Sequence, residues 1–158
     1  MLKPSAFIFL LVSFCSLADD IGYVYEGDLN GDGVSDTIAS GPHDQFGSAG
    51  GPFVILLSQA NGTFIDKIVY LHPSAISLEH HVSGNLLWGY ARHGGATGTL
   101  FSISLDGQFK TEEITINAGV SYSDLALSIS NAIFNEKFRL ILKKVDSYKP
   151  PDYGWARG

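Results

Sequence analysis

The sequence predicts an all-β domain. Glycine is abundant, with 18 residues in 158, and helical periodicity is scarce, whereas short runs of β-branched and aromatic residues recur between turn signals. These runs predict seven strands: Thr37–Ser40, Phe53–Ser58, Phe64–Tyr70, Leu86–Ala91, Leu100–Leu105, Phe109–Ile116 and Phe138–Val145. We expect them to form a single compact antiparallel sheet or sandwich. The segment Ser123–Phe134 is ambiguous between a short helix and another strand.

Four of these strands are expected to form two similar hairpins. The stretch "GSAGGPFVILLSQANGTF" from Gly47 resembles "GGATGTLFSISLDGQF" from Gly94, and each is typical of a glycine loop followed by two strands. Asn61-Gly62 and Asp106-Gly107 are strong hairpin turns because glycine adopts positive φ without steric cost. The similarity indicates a repeated structural unit.

Residues 1–18 are predicted to be a secretory signal, because an early lysine precedes an apolar run and a small-residue end. Ser16 and Ala18 fit the positions before cleavage, and the apolar run is too short to span a bilayer well. The protein is therefore expected to be periplasmic or secreted, with no transmembrane segment. An alternative is lipoprotein processing at Cys15, which the bulky Phe14 before it disfavours.

The remaining chain is predicted to be one β domain over residues 19–146, followed by a proline-rich and aromatic tail over residues 147–158. Cys15 is the only cysteine, so the exported domain has no disulfide. The net charge of −6 disfavours nucleic acid or an anionic membrane as partner. In the tail, Tyr153 and Trp155 are expected to cover the edge of the core or to be offered to a partner.

The stretch "GDLNGDGVSD" contains alternating oxygen side chains that indicate a calcium site. Neighbouring carboxylates repel one another, a cation reverses that effect, and Ca²⁺ accepts six to eight oxygens in uneven geometry. The loop begins like an EF-hand, with Gly33 at the sharp turn, but Ala39 lies where that motif requires glutamate. The predicted ligands are Asp28, Asn30, Asp32, the Val34 carbonyl and Asp36. The alternative is a solvated turn, since Asp, Asn and Gly are ordinary turn formers.

The pattern D-x-N-x-D-G-x-x-D, followed by an apolar strand, a glycine-rich loop and "NGTF", resembles one FG-GAP or VCBS-type repeat over Gly27–Phe64. Such repeats build the calcium-binding propellers of integrin α-chain heads. The resemblance implies an extracytoplasmic β protein that binds calcium through the loop and has no catalytic role. Since propellers usually need four to eight four-stranded blades, the chain is too short for most closed propellers.

A second candidate site is a partner-binding surface at "WGYARHGG", formed by Trp88, Tyr90, Arg92 and His93. Aromatic and arginine side chains dominate interface hot spots, although the same aromatic residues could simply be core. A zinc site at His80-His81 is disfavoured, because neighbours on a strand point to opposite faces.

The mature sequence contains no G-x-S-x-G, H-E-x-x-H or phosphate-loop motif. We therefore expect a non-catalytic module that binds a protein or glycan partner. One alternative is a periplasmic immunity or inhibitor protein that neutralises a toxin or wall-degrading enzyme. Another is a calcium-dependent enzyme acting on glycans, with Asp44, Glu79 or Asp124 brought together by folding.

Overall fold

The computed structural model describes residues 21–47, 49–94, 97–117, 139–153 and 155. Within these residues the chain forms nine strands and one short 3₁₀ helix, His43–Gln45. The strands are β1 Gly22–Gly27, β2 Asp36–Ser40, β3 Gly51–Ser58, β4 Phe64–Leu71, β5 Ile76–Glu79, β6 Leu86–Gly94, β7 Thr97–Ser104, β8 Thr111–Asn117 and β9 Lys143–Val145. The predicted signal, with Cys15, and the ambiguous segment Ser123–Phe134 lie outside the described residues.

The strands form two antiparallel sheets. The first sheet has the order β4-β3-β2-β1-β9 and the second has the order β5-β6-β7-β8. Consecutive strands are neighbours in both sheets, so each contains a four-stranded meander. In the described residues neither sheet closes into a barrel or propeller, and the all-β prediction is confirmed.

The two sheets share one hydrophobic core. Phe53, Ile55 and Leu57 lie on one face of β3, because alternate residues of a strand point the same way, and all three are buried. Leu87 of β6 and Ile103 of β7 belong to the same cluster. Each fully buried side chain of this size contributes roughly 1.5–3 kcal/mol, so this shared cluster holds the sheets together.

Both predicted hairpins are present. The segment from Gly47 contains the β3–β4 pair, and the segment from Gly94 contains the β7–β8 pair. Each pair occupies the third and fourth positions of its meander. The turn glycines, Gly62 and Gly107, have φ values of 81° and 85°, which residues with a Cβ rarely adopt.

The strand predicted over Phe138–Val145 is wrong for most of its described length, because only Lys143–Val145 is a strand. The preceding residues cross from one sheet to the other. Arg139 forms an isolated bridge with Ser77, and the Leu140 amide donates to the Ile76 carbonyl at the edge of the second sheet. β9 then pairs with β1 of the first sheet. The prediction also missed β1, which has six residues, and β5, which has four.

The tail packs against the outer face of the first sheet. Tyr148 lies over Gly22, and its hydroxyl donates to the Ser40 carbonyl at 3.0 Å. The half-buried Trp155 ring lies close to Gly41 and to the Pro52 side chain. Trp155 therefore lies against the first sheet, whereas the role expected for Tyr153 stays a prediction.

Candidate metal centre

The acidic loop, residues 28–35, connects β1 to β2. Gly31 and Gly33 have φ values of 85° and 84°, and these left-handed conformations turn the loop back on itself. As a result three amides donate to the Asp28 carboxylate. Gly31 N and Asp32 N lie 2.7 and 3.1 Å from Asp28 Oδ1, and Gly33 N lies 2.9 Å from Oδ2.

The next two alternating side chains bond to amides two residues later. Asn30 Oδ1 accepts from Asp32 N at 3.0 Å, and Asp32 Oδ1 accepts from Val34 N at 2.8 Å. Asn30 Nδ2 also donates to Asp32 Oδ2 at 3.0 Å. Asp28 and Asp32 are exposed, so solvent reaches the carboxylates of both residues.

Asp36, the fifth predicted ligand, has a different environment. It is the first residue of β2 and its relative exposure is 0%. Its Oδ2 accepts from Leu29 N at 2.8 Å and Asn30 N at 3.3 Å, while its Oδ1 accepts from Ser58 N at 2.8 Å. Asp36 therefore anchors the acidic loop to the end of β3.

Asn85 connects the acidic loop to the second sheet, a role that no pattern in the sequence predicts. Its side chain is 7% exposed, and Nδ2 donates to the Leu29 carbonyl at 2.8 Å. The Asn85 carbonyl accepts from Leu105 N at 3.0 Å. The Leu29 peptide is thus held on its amide side by Asp36 and on its carbonyl side by Asn85.

A cleft of about 360 Å³ lies between the acidic loop and the β7–β8 turn, and Asn30, Asp32 and Asp106 line it. Hydrogen bonds from the Gln108 amide, and secondly from the Ser104 hydroxyl, lower the pKa of Asp106. In the described part of the chain, no three His, Cys, Asp or Glu side chains are grouped to hold a metal ion. A cation at the loop would therefore need the Asn30 amide and backbone carbonyl oxygens as well as carboxylates.

The aromatic residues of the predicted partner surface lie on β6, on the face opposite Leu87 of the core. Trp88 is half-buried and its Nε1 donates to Glu79 Oε2 at 2.8 Å. Tyr90 is also half-buried, and its hydroxyl lies against Gly98 of β7, where a Cβ would be only 2.1 Å from it. Both aromatic side chains therefore have structural contacts within the second sheet.

The other two residues of this predicted surface lie at the end of β6. Arg92 is opposite Gly98 in the β6–β7 register, next to an irregularity between Arg92 and Gly94. His93 is exposed, and its Nε2 is 2.8 Å from the Thr99 hydroxyl. The exposed His93 ring is accessible to a partner.

A larger cleft, of about 1010 Å³, lies between the first sheet and residues 139–142. His43, His72 and Arg139 contribute to its lining together with Phe46. Burial, and secondly the charge of Arg139, lower the pKa of His72. Ser74 Oγ lies 2.7 Å from His72 Nδ1, which raises the question of a hydrolytic Ser–His pair.

The same Ser–His contact occurs at a second place. Ser83 Oγ lies 2.7 Å from His81 Nδ1, and in both sequences, His-Pro-Ser and His-Val-Ser, the serine amide also donates to that nitrogen. A contact repeated at i and i+2 is a local turn motif. It therefore gives no support to a nucleophilic serine in the larger cleft.

The remaining candidate residues lie in different parts of the chain, and one of them is not described by the structure. His80 and His81 follow β5, so the premise that they lie on a strand is wrong. Asp44 lies in the 3₁₀ helix, Glu79 lies in β5 and accepts from Trp88, and Asp124 is outside the described residues. Of the three acids named for an enzyme, the two that the structure describes lie in different elements.

The fold and loop define an all-β protein of two antiparallel meanders, with one oxygen-rich loop at the first strand connection. Comparison with family models, curated proteins and solved structures gave no match. Within the described residues there is no helix of the length and apolarity needed to cross a membrane.

Proposed function

We propose that the protein is an exported, non-catalytic binding module whose acidic loop holds calcium. The observation that carries this proposal is the arrangement around Asp28. Three successive backbone amides donate to its carboxylate, and this folds Asn30 and Asp32 into the same short loop. Oxygen side chains at alternate positions of a tightly turned loop are the kind of ligand set that Ca²⁺ accepts.

The exposed residues fit this role by their hydrogen-bonding capacity. A carboxylate offers about four lone-pair positions, and Asp28 uses three of them for loop amides. Asp32 uses two, so both residues retain acceptor capacity toward solvent. With Asn30 and the Val34 carbonyl they form the ligand set we propose.

Asp36 fits less directly, because it is buried and three amides donate to it. Its Oδ1 accepts only from Ser58 N among the described contacts, so that oxygen retains capacity for a cation. We propose that Asp36 mainly fixes the loop and adds a ligand through Oδ1. A bound cation would then be linked directly to β2 and indirectly to β3.

Calcium would act here as a structural cross-link. Two carboxylates in one short loop repel each other without a cation, and the chain has no disulfide. At ten times its dissociation constant, a ligand that binds only the native state stabilises it by about 1.4 kcal/mol. The expected benefit is a rigid connection between β1 and β2 at one end of the first sheet, suited to a protein that presents a surface to a partner.

The test is thermal unfolding of the purified protein in millimolar calcium and in chelator, with calorimetric titration of Ca²⁺. We expect the midpoint to be roughly 5 °C higher in calcium for a domain of this size. Asp32→Asn should abolish that difference, because it removes a ligand charge and keeps an acceptor for Val34 N. Asp44→Asn, on the exposed 3₁₀ helix, is the matched control and should preserve it.

Equal midpoints in calcium and chelator, together with no heat of binding, would refute the metal site. The binding role is tested separately by affinity capture from a periplasmic extract in calcium and in chelator. A specific protein or glycan retained on the immobilised domain supports the module. Turnover of a glycan panel without any retained partner would favour an enzyme instead.

A further inference from the structure

Among the strands that the structure describes, four lie at the edges of the two sheets, and three of them carry features that oppose pairing with another chain. β9 has only three residues, two of which are Lys143 and Lys144. β5 has four residues. β8 is longer, but Glu112 and Glu113 lie next to each other within it. Short length and charge are the usual protection of an exposed edge.

β4 lacks this protection. It has eight residues, it pairs only with β3 among the described strands, and its two charges, Asp66 and Lys67, are of opposite sign. Most of its side chains are exposed, including large apolar and aromatic ones. These are Phe64, Ile65, Ile68 (39%) and Tyr70 (55%).

The alternation of backbone hydrogen bonds shows which N–H and C=O groups of β4 point away from β3. At the β3–β4 turn Gln59 N donates to Thr63 O, so Thr63 directs its backbone polar groups toward β3. Along an antiparallel strand this direction alternates from residue to residue. The outward amides and carbonyls of β4 therefore belong to Phe64, Asp66, Ile68 and Tyr70.

We propose that the protein forms a two-fold dimer through antiparallel pairing of β4 with β4 of a second copy, with Ile68 opposite Ile68. In this register Asp66 lies opposite Tyr70 of the second copy, and symmetry creates that pair twice. Directly opposed residues have Cβ atoms about 5 Å apart, so the Tyr70 hydroxyl can reach the carboxylate. On the other face of the strand, Lys67 lies opposite Val69.

The charges on β4 disfavour the two registers centred nearer to its first residue. Two-fold pairing centred one residue earlier places Lys67 opposite Lys67, and pairing centred on Asp66 places two carboxylates opposite each other. Opposed like charges are destabilising. The register centred on Ile68 avoids both and joins the first sheets of two copies into one continuous sheet, which is an isologous contact.

The net charge gives this dimer a defined salt dependence. Each chain carries a formal charge of −6, so two copies repel each other over distances that salt screens. The contacts of the β4 pair are backbone hydrogen bonds, apolar side chains and the Asp66–Tyr70 pair. We therefore expect moderate salt to strengthen dimerisation.

The first test is sedimentation of the purified protein over a range of concentrations, with two variants at exposed isoleucines on different edges. Ile68→Lys should weaken dimerisation by about tenfold or more, because it opposes two ammonium groups at the centre of the pair. Ile114→Lys on β8, where the isoleucine is 52% exposed, should change it less than about twofold. A wild-type protein that stays monomeric at every concentration, or equal effects of the two variants, would overturn the proposal.

The second test examines the register through position 70. Tyr70→Glu should weaken the dimer by about tenfold, because it faces Asp66 of the second copy at both symmetric positions. Tyr70→Lys should preserve or strengthen it, since a lysine there pairs with the same carboxylate. Equal weakening by both variants would show that position 70 does not oppose Asp66 and would refute this register.

Discussion

The connections β1–β2 and β5–β6 occupy the same place in the two sheets but differ in chemistry. The first carries the exposed carboxylates Asp28 and Asp32. The second, "HHVSGN" over residues 80–85, contains no acid and is turned by the His81–Ser83 contact. The second meander forms without exposed acids at this connection, so a four-stranded meander of this kind does not by itself require exposed carboxylates there.

The two connections are similar in their buried anchors. Asp36 begins β2 and Asn85 immediately precedes β6, and both are buried. Both bond to Leu29, whose side chain is fully buried in the core. Each meander therefore has a buried polar side chain at or next to the start of its second strand, and the acidic loop is bonded to both sheets.

The largest effect is expected from Asp36→Ala. This change leaves the amides of Leu29 and Ser58 without their acceptor in the interior. Hydrogen bonds to charged groups contribute roughly 1.5–3 kcal/mol each, and stranded buried donors add to the loss, so we expect about 3 kcal/mol of destabilisation. Urea unfolding measures it directly.

The matched control for that change is Asp44→Ala, an exposed carboxylate on the 3₁₀ helix. It should alter the free energy of unfolding by less than about 0.5 kcal/mol. If both variants unfold at the same urea concentration as the wild type, Asp36 does not anchor the loop. Asp36 could then no longer be compared with Asn85 as a buried anchor of the acidic loop.

Asn85→Ala should have the next largest effect. It removes the bond to the Leu29 carbonyl and keeps the backbone bond to Leu105, so a loss of about 1–2 kcal/mol is expected in urea unfolding. Asn85→Asp is a more specific variant, because a carboxylate has a similar size but cannot donate to that carbonyl. This substitution should be at least as destabilising as Asn85→Ala at neutral pH. Wild-type stability in both would mean that the second sheet does not support the acidic loop.

The local part of the site could be predicted from the sequence, whereas its connections to the rest of the fold could not. The side chains of Asn30 and Asp32 accept from amides two residues later, so the alternation of polar residues along the chain predicts these turns. Asn85 and Leu29 are 56 residues apart, and only the packing of two sheets brings them together. The approach of Asp106 to the loop has the same origin.

The strands follow the same distinction. The β3–β4 and β7–β8 hairpins were predictable because their turns and alternating side chains are local. β5 is four residues long and depends on pairing with β6 rather than on its own propensity. The strand predicted over Phe138–Val145 failed because the chain there crosses between sheets, and apolar alternation in sequence does not distinguish a crossing segment from a strand.

The smallest expected effect concerns the two His-x-Ser turns. The folded-state pKa of His72 lies below its ordinary value of 6.5, first because of burial and then because of Arg139. Protons therefore bind the unfolded chain more readily, so stability is lost as pH falls through 6.5 toward the lower folded-state pKa. Below that pKa the loss is complete. Since His72 is only partly buried, we expect a small decrease in urea midpoint between pH 7 and pH 5.

His72→Gln should reduce that decrease, and His81→Gln should leave it unchanged. The two residues share the same turn geometry, but His81 is exposed. Comparing the two variants therefore distinguishes the effect of burial of the ring from the effect of its hydrogen bond to serine. Urea midpoints of the three proteins at both pH values provide the measurement. Equal effects of the two substitutions would assign the pH dependence to the turn itself rather than to the cleft that contains Arg139.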